Sequence, residues 1–152
     1  MTRLLACCVA LLMGVVLCGL PLSARAQTRL STTEAMLLID RLAADPLHKD
    51  ARHEMDRFLD WIIHTDAAIV MIADAEMNAM ISRKVPYARA MYFLMLGGMA
   101  RYDIAHPDTK ADESGLDRPS GVDCMCAGLG NLRQAHPEVR VDRYFRRMCR
   151  GR

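Results

Sequence analysis

The sequence predicts an all-α fold, a single small domain of five or six helices behind an N-terminal signal peptide. Three observations lead there. Apolar residues recur at three- and four-residue intervals through most of the chain, capping residues and prolines punctuate those runs, and no stretch alternates apolar and polar residues as a half-buried strand would.

The first residues stand apart from the rest. Arg3 gives a short basic start, Leu4 to Leu20 carries no charge, Pro21 breaks the apolar run, and Ala24-Arg25-Ala26 is the small–x–small pattern that a signal peptidase reads. The apolar run is 17 residues long, short of the roughly 20 that a spanning helix needs. Bulky Leu17 before Cys18 argues against lipidation at that cysteine. The reading is therefore a cleaved signal peptide (1–26) and a helical domain (27–152) that is periplasmic or secreted, with no stable membrane anchor.

Cleavage removes Arg3 and Arg25 and no acid, which leaves 18 basic residues against 18 acidic ones. A domain without net charge is a poor general polyanion binder, so nucleic acid is not an expected partner. The charge is uneven all the same. Residues 133–152 hold seven Arg against Glu138 and Asp142, a local +5, and residues 27–132 carry −5.

The helices follow in order. Ser31-Thr32-Thr33-Glu34 is a capping-box pattern and opens a first helix that runs through Leu42. Asp45-Pro46 ends it and starts a second, with Asp as N-cap and Pro at the first helical position; Met55, Phe58, Leu59, Ile62 and Ile63 form its apolar stripe. The region 46–83 reads as one long helix or as two, and Thr65-Asp66 offers the N-cap for a break. The next helix carries Ile69, Ile72, Ala73, Met77, Met80 and Ile81 and ends before Val85-Pro86. Pro86 to about Tyr102 is uncharged from Ala90 to Ala100, so that helix should be surrounded by others. Gly97-Gly98 costs it about 1 kcal/mol per glycine relative to Ala, and such a pair marks a close helix contact or a kink. A polar loop of about fifteen residues follows, from His106 to Ser120. Val122 to Gln134 is a weaker helix, and His136-Pro137 restarts helix to about Cys149, giving a C-terminal helical hairpin.

Export leaves three of the six cysteines, Cys124, Cys126 and Cys149, in a compartment that permits disulfides. The odd count leaves one thiol unpaired or shared with another chain. Helical geometry sets Cys124 and Cys126 roughly 200° apart around their axis, so a bond from one of them to Cys149 is expected. Counting helical rise along a hairpin that turns near Ala135-His136 brings Cys149 level with Val122. That favours a Cys124–Cys149 disulfide with Cys126 spare. Cys126 shares the apolar side with Val122 and Leu129, and a Cys126–Cys149 bond is the alternative.

Motifs for catalysis and metal binding fall away on inspection. His53-Glu54 begins like the helical zinc-protease motif, but Arg57 stands where the second His is required. Asp108, Asp112 and Glu113 lack the ligand spacing of a calcium loop. Met91, Met95 and Met99, with Cys124-Met125-Cys126, could offer soft sulfur to Cu(I), yet these Met lie in the most apolar helix, where Met ordinarily fills core. Asp74 and Glu76 fit an exposed helical face as well as a catalytic pair. No catalytic residue, metal ligand or cofactor is assigned.

The clearest pattern is in the last helix. Val141, Tyr144, Phe145 and Met148 form one face, and Arg140, Arg143, Arg147 and Arg150 line the other. Such a basic amphipathic helix suits an acidic partner or a membrane surface; the plainer reading docks the apolar face on the domain and leaves the Arg row solvated. The leading expectation is a non-catalytic exported protein acting by protein–protein contact, such as a binding, inhibitor or immunity-type module. The alternative is a periplasmic copper or thiol-redox accessory protein using the Met and Cys sulfurs. An enzyme ranks third. The exported form should begin at Gln27, and N-terminal sequencing decides it: retention of residues 1–26, or a start more than a few residues away, overturns the signal-peptide reading.

Overall fold

The computed structural model describes residues 29–70, 74–108 and 117–151. The expected signal peptide (1–26) with its cleavage site before Gln27, Ile72-Ala73, and most of the polar loop, including Asp112 and Glu113, lie outside the described residues. Among the described residues there are six α-helices and no strand. They are α1 (Thr32–Ala44), α2 (Ala51–His64), α3 (Asp74–Ile81), α4 (Ala88–Ala105), α5 (Arg118–Ala135) and α6 (Arg143–Met148).

The capping box forms as expected. Ser31 Oγ accepts the Glu34 N–H at 3.3 Å, and Glu34 Oε2 accepts the Ser31 N–H at 2.8 Å. Those bonds, the one from the Ser31 backbone first, hold the Glu34 carboxyl below its usual range. Asp45-Pro46 ends α1, but α2 begins only at Ala51, later than expected. Asp45 Oδ1 accepts the N–H of Leu47 at 3.0 Å, and an Asx turn of this kind gives the backbone a local alternative to helix.

The break at residue 65 is real, so the 46–83 region holds two helices. Thr65 Oγ1 accepts the Ala67 N–H at 3.1 Å, and residues 65–70 run on without helix instead of capping the next one. Ile69, expected on a buried helical stripe, lies exposed on this segment, and its N–H is donated to Asp103 Oδ2 at 3.0 Å.

The uncharged helix α4 is the centre of the molecule and packs on α1, α2, α3 and α5. Met91, Leu94, Met95 and Ala100 have no exposed surface. Gly97 and Gly98 serve two neighbours at once, because successive residues point about 100° apart. A Cβ on Gly97 would sit 2.6 Å from Ile39 of α1. On Gly98 a Cβ would meet the Ser120 carbonyl and lie 2.9 Å from Gly121 Cα, both in α5. Gly121 answers in kind, since its own Cβ would come within 2.7 Å of the Met95 carbonyl. The glycine pair therefore marks a close contact, and α4 continues through it unbroken.

The C-terminal hairpin differs from expectation. Residues 136–142 turn without forming helix, and α6 is only six residues long, capped by Asp142 Oδ1 on the Tyr144 N–H at 2.7 Å.

The glycine contact is testable by adding one carbon. Gly98→Ala or Gly121→Ala should destabilise the fold by about 1–3 kcal/mol, the usual cost of overpacking. Gly130→Ala, with nothing within 4 Å of the added Cβ, should stabilise it by about 0.5–1 kcal/mol. Denaturant unfolding reads all three. A neutral Gly98→Ala would mean that α4 and α5 are not in backbone contact.

Candidate functional site

The chain returns across α5 and is fastened there by a disulfide between Cys126 and Cys149, with Cα atoms 5.4 Å apart. The preferred pairing of Cys124 with Cys149 is thus corrected, and the alternative holds. The register argument assumed continuous helix from 136 onward, and 136–142 is not helical, so counting rise per residue does not apply. Facing decides the bond. Cys126 lies on the side of α5 that meets the C-terminal segment, whereas Cys124 Cβ lies where a Cβ on Gly98 would reach it, at 2.7 Å, in the α4–α5 crossing. Cys124 is the free thiol, half-buried, and burial pushes its pKa up, which makes it a poor nucleophile.

Three further contacts hold the returning segment. Tyr87, buried at the start of α4, donates its hydroxyl to the Arg140 carbonyl at 3.3 Å and accepts the Asp142 N–H at 2.6 Å. Burial raises the Tyr87 phenol pKa, which keeps its proton available for donation. Phe145 is fully buried, with its ring 5.6 Å from that of Tyr87, and the Arg83 guanidinium lies 4.5 Å over the Tyr144 ring. At the near end, His136 Nε2 lies 2.8 Å from Asp45 Oδ1 and ties the end of α5 to the end of α1.

Between α5 and this segment lies a groove of about 610 Å³. Leu129, Val139, Val141 and the disulfide sulfurs form its apolar wall. Arg133, Arg140 and Arg146 stand along it, and no acidic or aromatic residue lines it. The acids of the surrounding segment are engaged elsewhere: Glu138 lies 3.6 Å from His136 Nδ1, and Asp142 caps α6.

The predicted Arg row is split by this geometry. Arg140, Arg143, Arg147 and Arg150 are all exposed, but Arg140 alone reaches the groove. Arg140 precedes α6, so a helical projection through it does not describe where it points. Arg133 and Arg146, outside the row as read, are its companions; their signal was the local charge excess and not the periodicity. None of the six Arg of residues 133–151 has a carboxylate within ion-pair distance among the described residues. On the body of the protein, by contrast, Arg41, Arg89, Arg101 and Arg118 are answered by Glu54, Asp56, Asp40 and Glu76 at 2.6–2.7 Å.

The other candidates resolve as packing. Met91, Met95 and Met99 are core residues of α4, and Met125 is equally buried on α5. Glu54, of the incomplete zinc motif, is buried between Arg41 and His48, with His48 Nε2 at 3.1 Å. Among the described residues no three His, Cys, Asp or Glu side chains gather in a way that could hold a metal ion. Comparison with protein-family models, curated proteins and solved structures gives no match.

The His136–Asp45 contact implies a pH dependence. The hydrogen bond to Asp45 is the main reason that the His136 pKa is raised, against a smaller opposing effect of burial. Stability from a raised histidine is complete below its ordinary value of 6.5 and is lost as pH climbs through the folded value. Burial alone would raise the Asp45 pKa, but the bonds from His136 and the Leu47 N–H outweigh it and the net shift is downward. Stability from Asp45 is therefore present above its ordinary value of 3.8 and lost as pH falls through the folded one. The melting-temperature gap between the protein and His136→Gln should be widest near about pH 5–6 and should shrink by about pH 9. A gap that widens on the alkaline side would contradict the assignment.

Proposed function

We propose that this is an exported, non-catalytic binding protein that engages an acidic protein partner through its arginine-rich C-terminal face, as a binding, inhibitor or immunity-type module would. The observation that carries the reading is the contrast just described: four arginines of the body, Arg41, Arg89, Arg101 and Arg118, meet carboxylates, while all six of residues 133–151 are exposed and have no carboxylate partner among the described residues. Arg is enriched in protein interfaces, where its planar fork meets carboxylates and its stem covers apolar surface.

Export has separate support. Residues 1–26 carry the pattern of a signal peptide, and a structural disulfide persists in an oxidising compartment. No helix among the described residues is long and apolar enough to cross a membrane. The sulfur-based alternative is disfavoured because a metal or redox site needs reachable sulfur, and Met91, Met95 and Met125 are enclosed in the core.

The test compares the exported protein, purified oxidised, with a variant in which Arg133, Arg140, Arg143, Arg147 and Arg150 are all replaced by Gln. Each is used to capture proteins from its own compartment at low and high salt. A captured protein should be acidic, bind again when purified, release as salt rises, and bind the variant about tenfold less tightly. The variant's melting temperature should barely move, because exposed charges contribute only about 0–1 kcal/mol each. Undiminished capture by the variant, or loss of its fold, would overturn the proposal.

A further inference from the structure

We infer that the groove closed by the Cys126–Cys149 disulfide is where the partner inserts an acidic segment that also carries apolar side chains. This rests on the binding-protein reading above and goes beyond it by naming the site and the chemistry that fits it.

The lining sets the chemistry. Arg133, Arg140 and Arg146 face a wall made by Leu129, Val139 and Val141. Guanidinium forks bind carboxylates through paired, charge-assisted hydrogen bonds, and the aliphatic wall rewards apolar atoms beside them. The two acids of this segment stand outside the groove, Glu138 3.6 Å from His136 Nδ1 and Asp142 at the cap of α6, and neither pairs with these arginines.

The groove is also held in shape before anything binds. The disulfide joins its two sides. Arg146 Nη2 donates to the Val141 carbonyl at 3.0 Å, which fixes that guanidinium while its other N–H groups have no partner among the described residues. Tyr87 anchors the backbone at Arg140 and Asp142 from beneath. A site so prepared spares an incoming segment part of the ordering cost of association.

Size and surroundings select the occupant. At about 610 Å³ the groove is in the range of sites that enclose organic ligands, about 300–1,000 Å³, and is far larger than one phosphate needs. A nucleic-acid strand would ask for aromatic platforms, and none lines the groove. A bilayer surface is flat on this scale and would meet the outer arginines first, leaving the recessed aliphatic wall uncovered.

The test uses a fluorescein-labelled hexapeptide of alternating Glu and Leu, titrated with the full exported protein and followed by anisotropy. Inorganic phosphate and phosphatidylglycerol vesicles serve as competing probes. Arg133→Gln with Arg146→Gln should weaken peptide binding about tenfold or more, and Arg143→Gln with Arg147→Gln by less than about twofold. Methyl NMR signals of Leu129, Val139 and Val141 should shift on titration. If Arg146→Gln unsettles the fold by releasing Val141, Arg133→Gln alone carries the comparison. Equal weakening by both pairs with unmoved methyls would place the acid on the outer row, sinking this inference and leaving the binding-protein reading intact. No saturable peptide binding, or binding of phosphate or vesicles alone, would also overturn it. The capture experiment, whose variant removes groove and outer arginines together, judges the broader reading independently.

Discussion

Backbone contact between Gly98 and Gly121 sets the distance between α4 and α5, and the remaining elements are arranged around that distance. Their absent side chains let the two longest helices approach until the Ser120 carbonyl and the Met95 carbonyl each face the other helix directly. A helix brought in so far has no solvent face, which is why α4 carries no charge from Ala90 to Ala100. The same approach fixes the rotation of α5. With Gly121 and Cys124 turned toward α4, Cys126 must point elsewhere, and the side it faces is the one across which the chain returns.

The returning segment could not hold itself. A helix of six residues is far below the length at which helix forms unaided, and Phe145 is the single buried side chain it contributes. Its position is imposed from outside, by Tyr87 from below, by Arg83 over Tyr144, and by the disulfide. Closing a loop of 23 residues is worth about 3 kcal/mol in the chain-entropy model. The groove is thus a consequence of a weak element clamped at several points against a strong one, and its arginines stand on backbone that Tyr87, the disulfide and the end of α5 hold in place.

How far the sequence could be read depended on the range of the interaction involved. Period and capping are local, and they located the helices: the Ser31–Glu34 box, the break at Thr65 and the burial of α4 were all legible. Asp45 misled because a single side chain chose a local turn with Leu47 over capping a helix. Residues 136–142 misled for a nonlocal reason, since the hydroxyl that holds them belongs to Tyr87, more than fifty positions earlier. Taking that stretch as helix carried two errors with it: it put Cys149 opposite Val122, and it drew Arg140 into a row with Arg143, Arg147 and Arg150 while leaving out Arg133 and Arg146. The facing of Cys126 with Leu129 was the sounder clue, because rotation about α5 is set locally and register across a turn is not.

The charge distribution bears on whether the arginine-rich end serves the fold. Were its task to offset the −5 of residues 27–132, its guanidiniums should lie against carboxylates of the body. Instead Glu54, Asp56, Asp40 and Glu76 are occupied by arginines of the body itself. Attraction between charges that remain apart at the surface is screened over a Debye length of about 8 Å at physiological salt and adds little to stability. Arg133, Arg140 and Arg146 therefore keep most of their binding capacity toward a partner, and the apolar wall beside them adds the area that a solvated charge row alone would lack.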